Sequence, residues 1–306
     1  MIPLLALLLA QADGLALLKK GHYLEARAAL EDAVKAQPQS VPALLALVEL
    51  RLTERELDRA EEVAKRAVEL SPQGARAHYM MGRVLADQIE TVSIFSKLSY
   101  AKRMKAEFDQ AAELDPDSAE AREALGQYYL RAPGMAGGSV DKARALALEL
   151  AQIDRVKGLL FQALVAAHED QDPAPLYEKA IAAAKTPDDR ATAQLAFGAA
   201  LLRAKKPQEA AKRLKAAADG PAPDARLLAS LSDALLQSKD VDGALAAARN
   251  AIAADAALPP AHFFAAEALL EKGDKPAARP EYQAYLRLAP PKARRADLAR
   301  DRLKDL

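Results

Sequence analysis

Apolar positions in this chain recur at helical intervals and are cut into short runs by proline. Within residues 106–130, Phe108, Ala111, Ala112 and Leu114 fall on one helical face and Pro116 stops the run. After the acidic stretch 117–120, Leu125, Gly126, Tyr128 and Tyr129 open a second run. The two-run unit repeats: Ala33 and Ala67, and likewise Pro38 and Pro72, lie 34 residues apart, as do the members of the series Ala210, Ala244, Ala278 and Leu201, Leu235, Leu269. Two amphipathic helices of this length cannot bury their apolar faces alone. The pattern therefore predicts an all-α array in which each helical hairpin is sheltered by the next.

These residues resemble the tetratricopeptide repeat signature, W-x2-L-G-x2-Y followed by A-x3-F and P in a 34-residue unit. Leu125, Gly126 and Tyr129 match the first block without its Trp, and Phe108 with Pro116 matches the last. In that packing scheme Gly126 lets a neighbouring helix approach closely and Phe108 fills the gap. The resemblance, which extends to exported bacterial members, implies a right-handed superhelical solenoid of about eight hairpins with a C-terminal capping helix.

The register divides the chain into residues 13–157 (repeats one to four), a degenerate fifth repeat over 158–187, repeats six to eight over 188–292, and a cap over 293–306. Two insertions interrupt it. Pro72 and Pro116 are 44 residues apart, so ten extra residues around 86–101 are expected to lengthen the third hairpin by about two to three turns. A Gly-rich loop occupies 132–140, with Ser139 or Asp141 as the cap of the following helix. Residues 172–175, Asp-Pro-Ala-Pro, read as a flexible joint. Residues 219–223 and 258–260 break helices between units, and Pro280 is expected to kink the second helix of repeat eight or delay its start.

Composition narrows the function. Of 306 residues, 51% are apolar and only 5% aromatic with no Trp, which suits closely packed helices of small residues. Lys plus Arg equals Asp plus Glu at 43 each, so no overall field draws nucleic acid or anionic lipid. The absence of Cys excludes disulfides, thiolate zinc sites and thiol nucleophiles, and leaves the compartment open. Residues 4–10 form a short apolar core before Ala10-Gln11-Ala12, an A-x-A processing pattern. Residues 1–12 thus read as an export signal that places the protein in a bacterial periplasm; the alternative is half of a first repeat helix in a cytoplasmic protein. No run approaches the roughly 18 to 20 apolar residues of a membrane span.

Candidate chemistry is sparse. Residues 134–139 precede a helix carrying Lys142, but a phosphate loop needs G-x4-G-K-[ST] after a strand, so the loop reads as a connection or, alternatively, an anion site. His22, His78, His168 and His262 lie in different repeats without metal-ligand spacing, and no G-x-S-x-G occurs. No catalytic residue, metal or cofactor is expected.

The resemblance instead implies a peptide-binding groove along the first helices of the repeats. It assigns Leu45, Glu49 and Leu52 in repeat two, Arg76, Tyr79 and Arg83 in three, and Glu120, Glu123, Gln127 and Arg131 in four. Arg226 and Asp233 follow in repeat seven, and Phe263 and Glu267 in eight. Arg76, Tyr79 and Arg83 suit a carboxylate or a stacked peptide, or else pair with Glu120 and Glu123 next door. The Lys/Asn/Arg clamp of chaperone-tail binders is not reproduced. The segment 89–101 is either core extension or a partner-facing helix. The expected function is a non-catalytic scaffold for a protein or peptide partner. An enzyme using 132–142 with the inserted helix, and a solenoid that self-associates through its ends, are the alternatives.

Overall fold

Small polar side chains placed just before apolar runs set where the helices begin. The computed structural model describes residues 14–219 and 224–306, so the export signal, Asp13 and the break at 220–223 lie outside the described residues. Helical turns over 14–20 precede α1 (Tyr23–Ala36). Hairpins then follow: α2 (Val41–Thr53) with α3 (Leu57–Leu70), α4 (Ala75–Gln88) with α5 (Ile94–Leu114), and α6 (Ala119–Arg131) with α7 (Val140–Ile153). Next come α8 (Arg155–His168) with α9 (Ala174–Ala183), and α10 (Pro187–Arg203) with α11 (Pro207–Ala218). The last hairpins are α12 (Ala225–Gln237) with α13 (Val241–Ala254), and α14 (Pro259–Glu271) with α15 (Lys275–Leu288), before α16 (Ala296–Asp305). No strand occurs among the described residues.

Ser40, Ser118, Asp154 and Asp224 each accept a backbone N–H of the first turn of α2, α6, α8 and α12, satisfying donors that have no partner inside the helix. The turn between the two helices of a hairpin carries the repeat in its backbone. Gly21 and Arg55, 34 residues apart, have φ of +89° and +56°; Lys205, Lys239 and Gly273, again 34 apart, have +58°, +70° and +79°. A left-handed residue there ends the first helix and reverses the chain.

Residues 14–16 and 25–183 form one compact unit; residues 17–24 join 184–306 in a second, where His22 Nε2 lies 2.9 Å from Asp255. Each unit is a row of helical hairpins with its core between successive helices. Leu44, Val48, Met80, Val84 and Leu85 fill one part of the first core, and Phe263, Phe264 and Tyr282 part of the second.

The close-approach scheme holds with different partners from those expected. A Cβ on Gly82 would sit 2.4 Å from the Phe108 ring, and one on Gly126 would sit 2.4 Å from the Phe161 ring. Phe108 therefore packs on the glycine of its own hairpin. The gap at Gly126 is filled from α8, one hairpin on.

The extra residues of the third hairpin enter the connection 89–93 and α5, whose 21 residues exceed the 14 of α4 by about two turns. Ala101 and Phe108 are buried, whereas Ile94 and Phe95 at the helix start are 72% and 93% exposed, so the first turns lie outside the core. Pro280 does not delay α15, which starts at Lys275 with its first turn capped by Asp274. Its missing amide leaves one carbonyl of that turn without the usual i−4 donor.

Candidate peptide-binding groove

Residues four apart on a helix share a face, and this brings Tyr79 and Arg83 of α4 toward Glu120, Glu123 and Gln127 of α6. With Glu49 of α2, Met104 and Phe108 of α5, and Arg131 at the end of α6, they line a cleft of about 690 Å³ in the first unit. The Tyr79 and Phe108 rings lie 6.3 Å apart and the Arg83 guanidinium lies 5.8 Å from the Tyr79 ring centre.

The charges in this cleft are largely held by one another. Arg83 Nη1 is 3.6 Å from Glu49, Arg76 Nη1 donates to Glu120 at 2.5 Å, and Gln127 Nε2 donates to Glu123 at 3.1 Å. Burial pushes the Glu123 carboxyl above the usual carboxylate range, opposed by the charge of Lys157 and the bond from Gln127. Burial likewise raises the Tyr79 hydroxyl. Arg131 is exposed and has no ion pair among the described residues.

Leu45 and Leu52 depart from the expectation. Their side chains are buried between helices, 7% and 5% exposed, because residues at those helical positions face the hairpin core. Phe263 is also buried, at 3%.

In the second unit the expected groove positions are occupied by the chain itself. Arg295 donates to Asp233 at 3.2 Å, and its guanidinium lies 5.2 Å from the Phe263 ring centre and 4.6 Å from that of Phe264. Glu267 accepts from the Tyr282 hydroxyl and, at 3.3 Å, from Arg302 of α16. Arg226 is held by Asp224 at 2.5 Å and Asp188 at 2.7 Å. Sequence reasoning missed this occupancy. The available signal was the basic run around Arg294, Arg295, Arg300 and Arg302, set against acidic and aromatic positions at groove register.

The Gly-rich loop is exposed over residues 133–135 and at Gly137, with the backbone amides of 136–139 satisfied by the chain itself. Short helical turns over Gly134–Ala136 lead to Gly137 at φ +89°, and a Cβ on Gly138 would sit 1.7 Å from the Ala132 carbonyl oxygen. The amides of Ala136, Gly137, Gly138 and Ser139 all donate to chain carbonyls, so they are not available to a phosphate. Ser139 caps α7, and Lys142 Nζ lies 5.2 Å from the Tyr129 ring centre. No cluster of three His, Asp or Glu side chains among the described residues has the arrangement of a metal site.

A family model described as tetratricopeptide repeat matches residues 12–75, 195–259 and 229–293, together more than half of the chain. This chain is a tetratricopeptide repeat protein. A second model, regulator of microtubule dynamics protein 1-3, matches residues 53–136 of the repeat protein, a stretch that includes α5 and the cleft residues other than Glu49. No curated protein matches it significantly. Among solved structures, yeast Tom70 is similar at 17% identity with a TM-score of 0.60, over 92% of the repeat protein and 59% of Tom70. The repeat protein thus spans less than two thirds of that relative. A tetratricopeptide repeat protein from Parabacteroides merdae aligns over 97% of both chains at 11% identity and a TM-score of 0.43. Among the described residues, no helix is long and apolar enough to cross a membrane.

Proposed function

We propose that this repeat protein is a non-catalytic interaction scaffold that holds a peptide segment of a partner protein in the α4–α6 cleft. The carrying observation is that cleft, where seven groove positions expected from the repeat register meet an aromatic and methionine wall. Repeat proteins present concave surfaces of this kind to partners, and a cleft with a few converging polar groups is the default binding site. We further read residues 1–12 as an export leader, which places the mature protein in the cell envelope; amino-terminal sequencing of the purified protein is expected to begin at Asp13.

The test of the groove is selection of displayed random peptides on the full chain. Peptides enriched on the wild type are expected to lose binding to a Tyr79→Ala/Arg83→Ala variant whose helical melting curve is unchanged. Equal binding to both proteins rejects the groove.

A further inference from the structure

The second unit shows what the groove register of this protein accepts. Phe263 and Glu267 lie four and eight residues beyond the first residue of α14, and Asp233 eight beyond that of α12. These three positions hold Arg295 and Arg302. In the first unit the fourth positions are Tyr79 on α4 and Glu123 on α6 and the eighth are Arg83 and Gln127, so an aromatic and a carboxylate are again present, but the carboxylate stands one turn earlier. There the cleft is open. Its lining carries five carboxylates, from Glu49, Asp87, Glu90, Glu120 and Glu123, against two guanidiniums, from Arg83 and Arg131. The chain as a whole carries no net charge, so the negative excess is local. Arg83 is already balanced by Glu49 at 3.6 Å and Glu120 shares an exposed ion pair with Arg76 at 2.5 Å, which leaves Glu123 as the α6 carboxylate without an ion pair, near the half-buried Tyr79 ring.

We propose that the α4–α6 cleft receives an arginine-bearing peptide segment, its guanidinium bound by Glu120 and Glu123 and stacked on Tyr79. The inference rests on the cleft being the peptide groove and adds the chemistry of its occupant. A planar guanidinium matches carboxylates bidentately and stacks on aromatic faces, which a lysine ammonium does less well. Glu123 supports this: it is half-buried, accepts from the Gln127 amide at 3.1 Å and feels the Lys157 charge only at longer range, so a cation that reaches it meets an acceptor without a direct ion pair.

A fluorescein-labelled peptide with the sequence of residues 292–306 is a suitable probe, titrated against the full chain by fluorescence polarisation. Versions with every arginine replaced by citrulline, or by glutamate, serve as comparisons. The arginine peptide is expected to bind, and Glu120→Gln/Glu123→Gln to weaken it roughly tenfold. Glu69→Gln, an exposed carboxylate outside the cleft, is expected to leave binding unchanged. Should the double variant melt early, Glu123→Gln alone is scored. If the citrulline or glutamate peptide binds as tightly and Tyr79→Ala still abolishes it, the arginine chemistry is overturned while the groove stands. If Asp233→Asn, and not Glu123→Gln, weakens the arginine peptide, it is exchanging with the chain's own tail and the proposal fails. If the arginine peptide does not bind, the occupant is overturned and the groove is judged by the displayed-peptide selection; binding that no cleft variant alters overturns the occupant, and equal binding of the selected peptides to Tyr79→Ala/Arg83→Ala overturns the groove.

Discussion

His262 and Glu281 join the two helices of the last hairpin, with His262 Nδ1 2.6 Å from the Glu281 carboxylate. The other ring nitrogen, Nε2, lies 2.9 Å from the carbonyl of Ala256, six residues back. The third hairpin repeats the arrangement: His78 Nδ1 is 2.8 Å from Glu107 and its Nε2 is 3.0 Å from the Pro72 carbonyl, again six residues back. Each imidazole thus ties a helix start to the second helix of its hairpin and to the preceding turn.

The bond to Glu281 is the main reason the His262 imidazolium is held above its ordinary range, against desolvation and the charge of Arg287. A folded pKa above the unfolded one means that the stabilisation is complete below the unfolded value of about 6.5 and is lost as pH rises through the folded value. Urea unfolding of wild type and His262→Gln is expected to show the largest difference near about pH 6, shrinking toward about pH 9. A difference that grows with pH contradicts the assignment.

Gly126 faces the ring of Phe161, and no Cβ fits between them. Gly126→Ala is expected to cost about 1–3 kcal/mol by overpacking. Adding Phe161→Leu relieves part of that cost, so the double variant should be less destabilised than the sum of the singles. A strictly additive cycle in urea unfolding indicates that the two residues do not share the site.

Glu54 is 1% exposed at its side chain and accepts from Arg27 at 2.6 Å and from Arg51 at 2.9 Å; Arg51 also reaches Glu31 at 2.6 Å. Removing one member of a buried network strands the others. Glu54→Ala is expected to cost roughly 3 kcal/mol, whereas Asp32→Ala, in a pair exposed on both sides, changes stability by less than about 0.5 kcal/mol. Equal losses in chemical denaturation contradict this ranking.

Lys239 occupies the left-handed turn position at φ +70°, where Gly273 stands one repeat later. A side chain there costs about 1 kcal/mol, and the Lys239–Glu271 pair at 3.5 Å is too exposed to offset it. Lys239→Gly is therefore expected to raise the melting temperature, less the entropy that glycine adds to the unfolded chain. A lower melting temperature means that the lysine makes a contact worth more than the strain.

Much of the fold was readable because hairpin repeats are local. Alternation of apolar runs with Pro116, Pro72 and Pro38 marks helix ends within a few residues, and the 34-residue register orders the hairpins. The residues of the α4–α6 cleft were readable for the same reason, since Tyr79, Arg83, Glu123 and Gln127 occupy fixed helical positions. What they touch was not. Whether Arg76 is free or paired depends on Glu120, 44 residues on, and whether Phe108 meets Gly82 or Gly126 depends on how hairpins stack. The left-handed turns at Arg55, Lys205 and Lys239 were equally hidden, because those residues do not announce that conformation as glycine does.

By itself the sequence determined the all-helical class, the repeat length and, apart from the buried Leu45, Leu52 and Phe263, the faces of the first helices, because these follow from periods of a few residues. Tertiary structure alone decided which of those faces stays open. The first-unit cleft remains accessible, while Asp233, Phe263 and Glu267 are engaged by Arg295 and Arg302. That outcome depends on side chains distant in sequence meeting in space, and no local period encodes such a meeting.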